Sequence, residues 1–113
     1  MEANLYNKLI ITNQAMTSNI TSAALDMSQV DSVVFFASWT GTPTGTLKLQ
    51  VSITTNDADF VDLADSSISL TGVAGKFMWN VVDTNFDQIR LVYTFGSSTG
   101  TLNVRVNAKG VSV

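Results

Sequence analysis

The chain has 113 residues, enough for one domain with a single core. Hydrophobic residues make up 45% of it and charged residues only 13%, about half the usual charged share, so Thr, Ser and Asn must cover the surface or a partner must hide it. The net charge is −3 and the six Lys and Arg are scattered, which argues against a nucleic-acid partner because phosphates call for a basic stripe.

The N-terminus, MEANLYNKLIITNQ, lacks the basic start and long apolar run of a secretory signal. No apolar stretch approaches the roughly 20 residues that span a bilayer, so no membrane partner is expected. Residues 1–7 read as a flexible arm on a single domain of residues 1–113. Lys8–Thr12 is a short strand, Asn13–Asn19 holds at most a helical turn, and Ser22–Asp26 is another strand.

Alternation of period two then dominates, the mark of strands wet on one side. In VVFFASW, Val33, Phe35, Ala37 and Trp39 share one face, but Val34 and Phe36 make the other face apolar as well. Such a strand is covered on both sides, by its own chain or by another subunit. The N-terminal segment with Leu5, Tyr6 and Ile10 is the expected lid. Leu47, Leu49, Val51 and Ile53 form the next inward row. Phe60–Leu63 and Ser67–Thr71 are short strands. Phe77, Trp79 and Val81 alternate inward, as do Ile89, Leu91, Tyr93 and Phe95, and then Leu102, Val104, Val106 and Ala108. Gly- and Pro-bearing turns separate these runs at 41–45, 72–75 and 96–100.

About eight short strands predict an all-β fold: an antiparallel two-sheet sandwich of jelly-roll type. Within it one phrase is written twice. TGTLKLQV starts at Thr44 and TGTLNVRV at Thr99, an offset of 99 − 44 = 55 residues. Each copy is expected to be the tip and return strand of a β-hairpin: Val33–Thr40 with Thr46–Ile53, and Gln88–Phe95 with Thr101–Ala108. Convergent solutions and a duplicated half-domain both explain the repetition, and both concern architecture.

Covalent chemistry finds little to work with. The chain has no His and no Cys, so the commonest general base and the best nucleophile are missing. No catalytic residue, cofactor site or metal site is assigned, and an enzyme is not expected. Asp26, Asp31, Asp83 and Asp87 recur at matching points of the two halves and suit turns closed on their own backbone. NDADFVDLAD, from Asn56 to Asp65, begins like a calcium loop but puts Val61, Asp62 and Ile68 where an EF-hand needs an oxygen ligand, Gly and Glu. A solvated acidic hairpin is the simpler reading, with an irregular weak calcium site as the alternative. Trp39 and Trp79 share faces with core residues, so packing is preferred to a sugar-stacking platform.

Five phrases in order, NITSAALDMSQVDSV, SWTGTPTGTLKLQVS, TTNDADFVDLADSSISLTG, GKFMWNVVD and IRLVYTFGSSTGTLNVRVNAKG, resemble small tailed-phage virion proteins of the capsid cement or decoration kind. The resemblance runs from Asn19 to Gly110. It departs at Phe60, where a Trp is expected, and at Asn56-Asp57-Ala58, where a Gly-bearing turn is expected. It implies a β-sandwich on the outer surface of the head, made in the host cytoplasm, with the major capsid protein as partner and a homo-oligomer, dimer or trimer, as the working form. Leu5, Tyr6, Val34 and Phe36 are the candidate protein-contact residues. The alternative function is a glycan- or receptor-binding module of a phage head fibre or tail.

Overall fold

A computed structural model describes residues 2–82 and 84–111, with backbone only for residues 2–6 and 111. Among the described residues, ten strands form two antiparallel sheets. They are β1 (Glu2–Ala15), β2 (Ile20–Thr21), β3 (Leu25–Asp26), β4 (Ser32–Gly41), β5 (Thr44–Ser52), β6 (Val61–Asp62), β7 (Ile68–Thr71), β8 (Gly75–Val81), β9 (Gln88–Phe95) and β10 (Gly100–Val111). One sheet has the order β1-β10-β4-β8. The other is built on β9 and β5, with β2 and β3 along the outer side of β9 and β6 and β7 along the outer side of β5. The all-β sandwich expected from the alternation is the fold observed.

The repeated phrases do not form two hairpins. β4 and β5 lie in different sheets, and so do β9 and β10; each Gly-rich link is an arch that carries the chain across the core. β4 pairs with β10, and β5 pairs with β9. The first strand of each unit therefore pairs with the second strand of the other, so the two arches stack face to face. Period two reports which face of a strand is apolar, not which sheet it joins, and a hairpin and an arch leave the same pattern.

Glycine makes the stacking feasible. Gly41 (φ 85°) meets Gly100, and Gly45 (φ 109°) meets Gly96, in each case backbone against backbone. Adding the offset of 55 turns Gly41 into Gly96 and Gly45 into Gly100. The second contact is thus the first with its roles exchanged, an approximate two-fold relation between the arches. Thr44 ties them: its Oγ1 donates to the Ser97 carbonyl at 2.9 Å and accepts from the Ser97 N–H at 2.6 Å.

The inward rows match the sequence parity closely. Val33, Phe35, Ala37, Leu47, Leu49, Ile89, Leu91, Tyr93, Leu102, Val104, Val106 and Ala108 are fully buried. The expectation fails at three positions: Ile53, one residue past β5, is 72% exposed, and Phe77 on the edge strand β8 and Phe95 at the end of β9 are also exposed. Met16 and Met27, in connections between strands, are fully buried instead, the flexible thioether filling space between the sheets.

Candidate interaction face

The four-stranded sheet turns a second apolar row outward. Because β4 alternates, burying Val33, Phe35, Ala37 and Trp39 sends Val34 and Phe36 to the opposite side. Strand register then assembles their neighbours. Asn7, Asn107, Val34 and Asn80 stand in one row across β1, β10, β4 and β8; Leu9, Arg105, Phe36 and Met78 stand in the next. Met78 is 58% exposed, and Val34 and Phe36 are half-buried.

Amides border this apolar centre. Arg105 Nη1 donates to Asn7 Oδ1 at 2.7 Å, and Asn7 Nδ2 donates to Asn107 Oδ1 at 3.3 Å. Asn103 accepts from the Asn13 N–H at 2.9 Å and donates to Asn13 Oδ1 at 3.3 Å. Asn7, Val34, Phe36, Met78, Arg105 and Asn107 line an open groove of about 390 Å³. A second groove of about 360 Å³ shares Val34 and Asn107 and runs on to Asp31, Asn80, Val82 and Lys109.

The structure thus brings Val34 and Phe36 together on one exposed face. Leu5 and Tyr6 belong to β1, whose backbone is laddered to β10 from Glu2 onward; their side chains lie outside the described residues. The segment read as an arm and a lid runs beside β10 in the plane of the sheet, so it does not cover β4. Its alternation was too short and irregular to read as a strand, and the ladder itself shifts register at three places. Met78 is the outward apolar residue of this face that parity reasoning missed. Its signal was the run Phe77-Met78-Trp79, where an apolar side chain stands at an outward position.

The acidic segment is held by internal partners. Asp57 and Asp59 lie in a single 3-10 turn capped by Asn56, whose side chain accepts from the Ala58 N–H. Asp57 pairs with Arg90 at 3.1 Å, Asp59 accepts from Thr54 at 2.7 Å, and Asp62 takes Lys48 and Gln50 at 3.1 Å each. The Gln50 amide and then the Lys48 ammonium lower the Asp62 carboxyl below its ordinary value. The Arg90 guanidinium also sits 3.9 Å over the Phe60 ring. Among the described residues no group of three or more acids gathers as a metal site. Asp26 closes a turn, as expected: its carboxylate accepts from the Ser28 N–H at 2.9 Å, which lowers its pKa. Asp83 lies outside the described residues.

Both tryptophans are core residues. Trp39 donates its indole N–H to the Val73 carbonyl at 3.0 Å, and Trp79 donates to Ser66 at 2.7 Å. Neither presents a ring to solvent as a sugar platform would.

No family model matches the chain, and no curated protein matches it in sequence. Solved structures share its fold. The SPBc2 prophage-derived protein YomS superposes with a TM-score of 0.56 at 13% identity, covering 95% of each chain. The CBM36-1 domain of a multidomain xylanase from the hindgut metagenome of Trinervitermes trinervoides gives 0.53 at 8% identity over all of both chains. A carbohydrate binding module from the glycoside hydrolase family 9 protein Cel9A of Ruminococcus flavefaciens FD-1 gives 0.51 at 13% identity, covering 96% of this chain and 100% of that one. At these identities the likeness is one of β-sandwich fold.

Proposed function

We propose that the chain is a non-enzymatic structural protein of a phage virion, a cement or decoration protein that binds the outer surface of the head through the four-stranded sheet and works as a small homo-oligomer. The observation that carries this reading is the outward apolar centre of Val34, Phe36 and Met78 within a border of amides. An apolar middle with a polar, hydrogen-bonding rim is how protein contacts are built. A surface poor in charge lowers the desolvation cost of burying large areas, and many copies on a head add up weak contacts. The resemblance of the sequence phrases to phage cement proteins, and a fold shared with a prophage-derived protein, point the same way.

The second reading, a glycan- or receptor-binding module of a head fibre or tail, is favoured by the groove in which Asn7, Asn107 and Arg105 stand beside Phe36. Hydrogen-bonding side chains next to one ring could serve a sugar, and carbohydrate-binding modules share the fold. Co-sedimentation with emptied phage heads separates the two. Binding at a fixed copy number, lost in Phe36→Asp, supports the cement reading. A protein that ignores heads but is retained on cell-surface glycan overturns it.

A further inference from the structure

We infer that β8 is the oligomer contact, and that two copies of the chain pair β8 with β8 antiparallel across a two-fold axis. The inference deepens the oligomer part of the reading above. Its test uses no heads, so its failure leaves head binding untouched.

The argument starts from the four sheet margins. An edge strand offers unpaired N–H and C=O groups to any other strand, and proteins blunt such edges with bulges, charges or brevity. Three margins here are blunted. β1 shifts register three times against β10. Among the described residues, the outer side of β9 holds only the two-residue strands β2 and β3. The outer side of β5 holds the two-residue β6, with Asp62, and the four-residue β7.

The fourth margin is open. β8 pairs with β4 over seven consecutive residues, Trp39↔Gly75 to Val33↔Val81, without a register shift. Its sequence GKFMWNV has no Pro and one charge, Lys76. Large exposed apolar side chains gather on and beside it: Val73, Phe77, Met78 and Val82. Five consecutive residues, Phe77 to Val81, line one wall of an open groove of about 320 Å³ whose other wall is Leu63 to Ser66. A continuous run of one strand on a groove wall is the geometry of β-augmentation.

The strand fits its own copy. An antiparallel pair centred on Met78 sets Lys76 against Asn80 and Phe77 against Trp79, so no like charges oppose one another. Lys76 and Asn80 share the outward parity of Met78, so in the pair each Lys76 stands beside an amide on that face. The outward row Leu9–Arg105–Phe36–Met78 then continues through the axis into the same row reversed. Two four-stranded sheets become one of eight strands, with the apolar centres joined in a single face. A two-fold contact of this kind closes on itself and yields a dimer.

The test is the mass of the protein in solution by sedimentation equilibrium. The wild type is expected as a dimer. Met78→Lys and Met78→Glu are each expected as monomers, because the axis sets each new charge against itself. Mixed in equal amounts, the two variants are expected to recover a 1:1 dimer. Leu9→Lys, on the opposite margin of the same sheet, is expected to stay dimeric. A monomeric wild type, a dimer that survives Met78→Lys, or variants that fail to recombine would each overturn the inference.

Discussion

Gly41 and Gly100 face each other across β4 and β10, so closely that a Cβ built on Gly41 would lie 2.8 Å from the Gly100 Cα and 2.8 Å from the Thr99 carbonyl oxygen. A Cβ on Gly100 would strike the Thr40 carbonyl and come within 2.9 Å of Pro43 Cδ. These neighbours are backbone and a rigid ring, with no side chain to swing aside. Gly100→Ala is therefore expected to cost about 3 kcal/mol, as overpacking does. Gly72 offers the contrast. Its φ is 82°, but an added Cβ would meet nothing nearer than Thr44 Cγ2 at 3.9 Å. Gly72→Ala should cost only the left-handed backbone term, about 1 kcal/mol. Urea melts of both variants measure the difference, and equal losses would contradict the stacked arches.

Tyr93 makes the same junction sensitive to alkali. Its side chain is fully buried, and its hydroxyl donates to the Thr44 carbonyl at 2.7 Å. Burial pushes the phenol above its ordinary value of 10.0. The folded state thus holds the phenolic proton more tightly than the unfolded chain does. The stability this confers is fully present below about pH 10 and is lost as pH rises from there through the folded value. Tyr93→Phe is expected to cost about 1 kcal/mol at neutral pH and to reduce the alkaline decline in Tm.

The acids between Asn56 and Asp65 are expected to be structural and to leave calcium unbound. Asp57, Asp59 and Asp62 each already have a partner, on Arg90, Thr54 and Lys48 with Gln50. Millimolar calcium should leave Tm unchanged. Because the Asp62 carboxyl is held below its ordinary value, its contribution is present above about pH 4 and fades as pH falls through the lowered value. Asp62→Asn should flatten that acid limb. A rise in Tm with calcium would restore the cation site considered from the sequence.

What the sequence made legible was facing. Parity alone placed Phe35, Leu49, Leu91 and Val104 in the core, and it singled out Val34 and Phe36 as the exception, an apolar pair on the outward side of the sheet. What it hid was partnership. β4 and β5 carry the same alternation whether they pair with each other or cross to opposite sheets, so the arches read as hairpins. The N-terminal segment was obscured for a related reason. An irregular edge strand wins its place from the ladder that β10 offers, and little of that shows in its own pattern. Met78 faces outward at a position that polar Lys76 and Asn80 flank at the same parity, and only the neighbouring strand shows that it stands beside Phe36.

Phe35 and Phe36 put facing to a direct test. They are consecutive on β4, have identical side chains, and point to opposite sides of one sheet. Phe35 is fully buried, so Phe35→Ala removes apolar contact and leaves a cavity, at a cost of about 3–5 kcal/mol. Phe36 is half-buried on a face open to solvent. Phe36→Ala should cost about 1 kcal/mol or less, since water fills the space and only part of the ring leaves an apolar setting. Binding should reverse the order. At a temperature where both variants are folded, Phe35→Ala should still sediment with heads, and Phe36→Ala should not. Equal stability losses would show that something covers the outer face in the free protein. Equal binding would show that the face meets no partner there.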